Sequence, residues 1–206
     1  MEFSGKKVTV VGTGISGIGA VGLLNAVGAE VVLYDGNEKL KIEDIEKKLG
    51  TYKAEIVLGE LTKELTDSSD LLVISPGVPI DSPVVKAFEA AGVPVWGEVE
   101  LAYAFDKGKV LAITGTNGKT TTTALVGQIV GAYHKDTFVV GNIGNPYTTE
   151  VLKSNKDSYT VAEISSFQLE TVHEFHPLVS AILNITPDHL NRHYTMDCYV
   201  QTKEKI

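Results

Sequence analysis

Cysteine is nearly absent from this 206-residue chain, where Cys198 stands alone. A single thiol excludes an internal disulfide and a cysteine-based zinc site, and it suits a reducing, cytoplasmic compartment. Basic charge is scarce as well: 18 Lys and Arg face 26 Asp and Glu, giving a formal charge of -8 and a pI near 5.1. No overall positive field is available to hold nucleic acid, so an anionic ligand must be held by local geometry. Long apolar runs are missing too. From Val8 to Ala29 no residue is charged, but six glycines and Thr9, Thr13, Ser16 and Asn25 dilute the segment. It reads as a buried strand running into a helix, not as a membrane span. What remains is ordinary globular composition, 43% hydrophobic and 21% charged, which excludes disorder. At about 150 residues per domain, the length predicts a second domain that is incomplete.

The pattern along the chain is strand, glycine turn, helix, repeated. Lys7–Gly12, Glu30–Asp35 and Leu71–Ile74 are short β-rich runs; Ser16–Val27, Lys39–Leu49 and Ser82–Ala91 read as helices, with Gly28 and Gly92 as stops. A short polar break at Asp106–Lys109 is followed by a fresh start. Val110–Thr114 reads as a strand and Lys119–Tyr133 as a helix, with further strands at Thr137–Val140, Tyr159–Glu163 and Leu178–Asn184. Strands alternating with helices predict an α/β protein with parallel, doubly wound sheets. We place a domain boundary near residue 107, giving domains 1–107 and 108–206, and expect the chain to end inside a new helix.

Two glycine turns carry the chemistry. Gly12-Thr13-Gly14-Ile15-Ser16-Gly17 is a G-x-G-x-x-G turn that follows a strand and opens a helix. Glycines let the backbone approach a pyrophosphate whose charge sits on the helix N-terminus. Asp35, at the end of the next strand, stands where a ribose-binding acid belongs. The plain alternative is a tight turn needed only for helix–sheet packing, and the motif does not say which nucleotide binds. The second turn, Gly115-Thr116-Asn117-Gly118-Lys119-Thr120-Thr121, follows the strand Val110–Thr114. Its backbone N–H groups can cradle phosphates, Lys119 can reach the β- and γ-phosphates of ATP, and the Thr120 hydroxyl can ligate Mg²⁺. The spacing departs from the common P-loop, because Ile113 occupies the position of its first glycine.

Downstream residues can complete a triphosphate site. Glu163 ends a strand, where a Mg²⁺-binding acid of a P-loop enzyme belongs, although a strand-end Glu is often merely solvated. Asn142 lies in the turn Gly141-Asn142-Ile143-Gly144, which Asn favours for conformational reasons alone. His189, in Asp188-His189-Leu190-Asn191-Arg192-His193, gains interest only from the neighbouring motifs.

Taken in order, VVGTGISG, LYDGN, SPGVP, GTNGKTTT, GNIGNP, AEISSFQLE and LNITPDHLNRH resemble the Mur ligase family, ATP-dependent enzymes that extend the peptidoglycan peptide. The resemblance runs over essentially the whole chain. It implies a Rossmann-like first domain that holds a UDP-sugar instead of NAD, followed by a truncated P-loop ATPase-type domain, with the family's C-terminal domain absent. SSFQLE and the compact first domain point to the branch that adds D-glutamate to UDP-N-acetylmuramoyl-L-alanine. The resemblance assigns Gly14, Ile15, Ser16, Asp35, Gly36, Asn37 and Gly77 to the UDP-substrate, and Asn142 to the same substrate near its reacting end. It gives Gly115 through Thr121 to ATP, and Thr120, Glu163 and His189 to metal. Lys203, four residues past Tyr199, matches the lysine that the family carries as a carbamate and would be a metal ligand in that form. Lys119, His189 and Lys203 are the expected catalytic residues. Asn191 departs from the family, in which many members have Asp after the His, and the spacing from His189 to Lys203 is one residue short.

The implied reaction needs no enzyme nucleophile, so the lack of a Ser-His-Asp or Cys-His arrangement is no argument against an enzyme. The substrate's carboxylate attacks ATP, and an amine then displaces phosphate. Small anionic substrates are the expected partners, with neither nucleic acid nor membrane. A NAD-dependent oxidoreductase would leave GTNGKTT unused, a P-loop binding module or switch would leave the first domain unused, and another Mur or folate-type ligase stays open. With the second domain cut short, the 206 residues alone are expected not to ligate.

Overall fold

In the computed structural model, which describes residues 3–206, two parallel sheets follow one another along the chain. The first contains β1 (Lys7–Val11), β2 (Glu30–Asp35), β3 (Glu55–Leu58), β4 (Leu71–Ile74) and β5 (Val95–Gly97), in the order β3-β2-β1-β4-β5. Its helices are α1 (Ile15–Ala26), α2 (Ile42–Leu49), α3 (Lys63–Ser68), α4 (Pro83–Ala90) and α5 (Glu98–Tyr103). The second sheet contains β6 (Lys109–Thr114), β7 (Thr137–Gly141), β8 (Tyr159–Glu163) and β9 (Val179–Ile182), in the order β7-β8-β6-β9. With it run α6 (Lys119–Tyr133), α7 (Tyr147–Glu150), α8 (Ser166–Leu169), α9 (Leu190–His193) and α10 (Met196–Lys203).

The two glycine turns occupy equivalent places. The strand order reverses at β1 in one sheet and at β6 in the other, and each of these strands leads directly into its turn. In open α/β sheets that crevice, at the carboxyl ends of the strands, is where ligands bind. Both strands are covered on two faces: Val8, Thr9 and Val10 are fully buried, which explains why β1 reads as a continuous apolar run.

Close packing, not only freedom of φ, fixes Gly12 and Gly17 of the first turn. A Cβ at Gly17 would lie 1.9 Å from the Gly12 carbonyl oxygen, and Gly12 itself has φ +104. Backbone cannot yield there as a side chain could. Gly17→Ala is therefore expected to cost about 3 kcal/mol or more, lowering Tm by roughly 6–12 °C for a domain of this size. A melting curve within about 2 °C of the parent would contradict this packing.

The sheets are joined by an apolar, hydrogen-bonded seam. Gly19 of α1 lies against α7, where an added Cβ would meet Thr148 Oγ1 at 2.7 Å, and one apolar cluster includes Leu24, Leu101, Tyr147 and Leu169. Asp106, in the expected break, accepts hydrogen bonds from Tyr147, Thr160 and the Gly108 N–H. Two carboxylates of α5 fasten the seam. Glu100 accepts the N–H groups of His173, Glu174 and Phe175 at 2.8–3.2 Å, and Glu98 accepts the Thr148 N–H (2.9 Å) and hydroxyl (3.2 Å).

Burial raises the Glu98 pKa, partly opposed by the Thr148 hydrogen bonds. A carboxyl whose folded pKa is raised stabilises the fold below the ordinary carboxylate value of about 4.3, and loses that contribution as pH climbs through the raised value. The stability of Glu98→Gln relative to the parent should therefore improve as pH increases from about 4 to 8, read by thermal melts of both proteins. A stability difference that stays flat, or that moves further against Glu98→Gln as pH rises, would oppose it.

Several boundaries differ from expectation for local reasons. The second helix begins at Ile42 rather than Lys39, because the Asn37 side chain accepts the Lys39 N–H and turns the chain first. The last strand is Val179–Ile182 rather than Leu178–Asn184, since Asn184 is drawn to the second glycine turn. The final helix ends at Lys203, so the chain does not stop within it.

Candidate functional site

At the first turn, Gly14 precedes α1 in extended backbone with no side-chain cap, leaving the N–H groups of the first helical turn to an outside acceptor. Ile15 opens the helix and is 74% exposed, an apolar surface offered beside that N-terminus. Asp35 is tied to the turn: Oδ2 accepts the Thr13 N–H (3.3 Å) and hydroxyl (3.1 Å), while Oδ1 accepts the Asn37 N–H (3.1 Å). Gly14, Ile15, Ser16, Asp35, Gly36 and Asn37 are thus brought to the ends of β1 and β2, and Gly77 lies in the loop after the adjacent β4. The Ser75 hydroxyl of that loop is buried without a partner, 2.7 Å from the position of a Cβ on Gly12 and 3.3 Å from one on Gly17. A cleft of about 550 Å³ opens alongside, lined by Thr13, Gly14, Ile15, Lys48 and Tyr52, with Asn145, Pro146 and Thr149 from the other sheet.

The second turn is held open from outside. Gly115 and Gly118 have φ +148 and +84, and Gly118 caps α6 in left-handed backbone. Asn184, just past β9, clasps Asn117 from both sides: its Oδ1 accepts the Asn117 N–H (2.9 Å) and its Nδ2 donates to the Asn117 carbonyl (3.0 Å). Thr116 donates its N–H to the Asn184 carbonyl, receives the Thr186 N–H on its hydroxyl, and shares a hydrogen bond with the Tyr199 hydroxyl. Lys119 curls over the loop, with Nζ 2.9 Å from the Gly115 carbonyl and 3.0 Å from that of Thr116. Thr120 and Thr121 are exposed at the helix mouth.

Behind this loop lie the other candidates. Lys203 is 1% exposed; its Nζ donates to Thr114 Oγ1 (3.2 Å) and the Gly115 carbonyl (3.1 Å) and stands over the Tyr199 ring. Burial first, and the Lys119 charge second, lower its pKa to about 8. Glu163 is also 1% exposed: Oε1 accepts Asn142 Nδ2 (2.8 Å), and Oε2 is buried without a partner. Asn142 therefore stands with Glu163 at the end of the second sheet. Its backbone is fixed there too, since its N–H donates to the Glu163 carbonyl. Gly141 allows this, as a Cβ on it would lie 2.2 Å from that oxygen. His189 sits in left-handed backbone (φ +51), 3.4 Å from an Asp188 carboxylate oxygen and against the Phe167 ring.

Among the described residues no three or more His, Cys, Asp or Glu side chains gather into a metal-holding cluster. Mg²⁺ does not require one. It keeps several waters and takes one or two protein oxygens with substrate phosphates. The orphaned Glu163 oxygen and the exposed Thr120 hydroxyl fit that demand. Asn184, Thr186, Tyr199 and Arg192 were not singled out as site residues from sequence. For Asn184 a signal existed: a polar amide directly after an apolar strand run, at the sheet end where ligand loops converge.

Comparison with known proteins places both halves of the chain in one family. Residues 6–97 match the Mur ligase MurD-like N-terminal domain, and residues 113–206 match the Mur ligase middle domain. The chain is 72% identical over its full length to a UDP-N-acetylmuramoylalanine–D-glutamate ligase of Lachnospira eligens, and 59% identical to the protein of that name from Lachnoclostridium phytofermentans. It spans 46% of the length of each. Among solved structures, a UDP-N-acetylmuramate:L-alanyl-gamma-D-glutamyl-meso-diaminopimelate ligase from Neisseria meningitides shares the fold, with TM-score 0.61 and 17% identity over 98% of this chain and 67% of that one. With an N-terminal and a middle domain each matched in order, the two glycine turns belong to a member of the Mur ligase family.

Proposed function

We propose that this chain serves the ATP-dependent joining of D-glutamate to UDP-N-acetylmuramoyl-L-alanine, in the cytoplasm. The observation that carries the reading is the pair of glycine turns, each at the reversal point of its own sheet, with the unpartnered Glu163 oxygen behind the second. In this reading the α1 N-terminus, the Ser75 hydroxyl and Gly77 receive the diphosphate of the UDP-sugar, and Asp35 and Asn37 meet its nucleoside. The α6 N-terminus and Lys119 hold the ATP phosphates. Thr120 and Glu163 would hold Mg²⁺, which supplies charge neutralisation at the transferring phosphoryl group. Asn142 and His189 face the reacting end, and Lys203 acts as a carbamate.

The alanine carboxylate of the bound substrate attacks the γ-phosphate, giving an acyl phosphate and ADP. The amine of D-glutamate then attacks the acyl carbon, losing a proton as phosphate leaves and the amide forms. The protein's share is alignment of two anions and screening of their charge. An acidic chain can do this because Lys119 and the helix N-termini concentrate positive potential locally.

No helix among the described residues is long and apolar enough to cross a membrane. The test is phosphate release from ATP in a protein of the relatives' full length, with the UDP-substrate and D-glutamate supplied separately and together. Release that needs both is the expected result. Release indifferent to D-glutamate, or NADH-linked turnover, would overturn the reading.

A further inference from the structure

The segment that follows His189 does more than carry it. Arg192 reaches across the seam: Nη2 donates to the Val78 carbonyl at 2.8 Å, while Nε and Nη2 grip the Glu170 carboxylate of the second unit. Both side chains of this pair are largely buried, at 12% and 6% exposure. The guanidinium also lies over the Phe167 ring, 4.9 Å from its centroid, and the same ring packs 4.9 Å from His189. Two residues on, the Tyr194 hydroxyl donates to Asp81. Val78 and Asp81 belong to the loop that begins at Ser75 and closes on the first glycine turn: Ser75 donates its N–H to the Val11 carbonyl, and Val78 donates to Ser75. One continuous set of contacts therefore runs from Val11, the residue before the first glycine turn, through Ser75, Val78, Arg192 and Phe167 to His189.

The backbone of this strap is held under strain. His189 (φ +51) and Tyr194 (φ +64) are the only non-glycine residues with positive φ among the described residues, and they bracket Arg192. Such conformations persist where surrounding contacts over-determine them, and they gather at functional sites. A planar, five-donor guanidinium suits the task, since it can serve a carboxylate and a carbonyl at once while stacking on a ring.

We propose that Arg192 is a positioning residue that couples the two nucleotide sites, so that filling the first turn improves the binding of triphosphate at the second. The proposal rests on the reading of two nucleotide sites given above. In linkage terms, UDP and an ATP analogue should each raise the other's affinity by the same factor.

The experiment is calorimetric titration of the 206-residue chain with Mg²⁺ and the non-hydrolysable analogue AMP-PNP, with and without saturating UDP, and the reverse. The parent should show mutual tightening of about fivefold or more. Arg192→Met should bind each ligand alone within about threefold of the parent but bring the coupling factor to about 1. Arg192→Lys keeps the charge but not the fork, so it is expected to retain the single affinities and lose most of the coupling. Since breaking the buried Glu170 pair can destabilise the fold, Tyr194→Phe serves as a gentler second cut and should lower the factor in part. Full coupling in folded Arg192→Lys and Tyr194→Phe, or a parent that binds both ligands without coupling, would overturn the proposal. A parent that binds neither ligand would remove the two-site reading itself and the coupling with it, and is distinguishable on that ground.

Discussion

Lys119→Ala is expected to abolish ATP-dependent phosphate release while leaving UDP binding within about twofold of the parent. The ammonium is the one cation that the second turn itself contributes, and it already lies within 3.0 Å of two of the turn's carbonyls. In that position it neutralises the partial charge of the loop and stands next to the place where phosphate oxygens must enter. Losing such a donor from a developing anion costs about 3–4 kcal/mol, a fall of roughly 10²–10³ in turnover before any loss of ATP affinity is counted. UDP should be indifferent, because the first turn belongs to a different sheet. Malachite-green phosphate assays and UDP calorimetry on a full-length protein separate these effects. Near-normal phosphate release would refute the assignment of the turn.

Lys203→Ala should lower turnover nearly as far, for a different reason. A carbamate forms only on a neutral amine, and the buried site beside Lys119 brings the Lys203 pKa to about 8. At pH 7 roughly a tenth of such an amine is neutral, against fewer than one in a thousand for an ordinary lysine. Carbon dioxide adds to the free amine, one proton leaves, and a cation becomes a carboxylate-like anion beside Thr114 and Gly115. The alanine variant should be insensitive to bicarbonate and be partly rescued by small carboxylic acids. Arginine, which cannot supply a neutral amine, should not restore activity. Folding linkage gives an independent check. Between about pH 8 and the ordinary lysine value of about 10.4 the unfolded chain holds a proton that the folded chain has released, so the Lys203 contribution to stability rises with pH across that window. Replacement by Met should flatten this rise. Full activity of Lys203→Ala would remove the carbamate from the account.

What could be read from the sequence was local. The helix expected at Lys119–Tyr133 and the strands expected at Glu30–Asp35, Leu71–Ile74 and Tyr159–Glu163 have the bounds expected of them, because glycine turns and short apolar runs punctuate them clearly. The edge strands β3 and β5 were missed: Glu55–Leu58 is only half-buried, and Val95–Gly97 is three residues long, so neither shows a pattern. At the candidate site, the turns, Asp35 and Glu163 stood out because a motif or a strand end marked them. The Asn184 clasp and the Arg192 strap did not, since their partners lie 67 and 114 residues away in the chain and only the folded sheets bring them together. Asn142 shows the same limit, because its pairing with Glu163 depends on β7 lying next to β8.

The central claim is that one chain holds two separate nucleotide sites of different preference. Calorimetry on the 206-residue chain tests it most directly, by titrating UDP, NAD and Mg²⁺ with AMP-PNP singly and then UDP into protein saturated with the analogue. The account predicts one UDP site tighter than NAD and a second site for the triphosphate, both filled at once. Competition between UDP and AMP-PNP for a single site, or NAD binding more tightly than UDP, would contradict it.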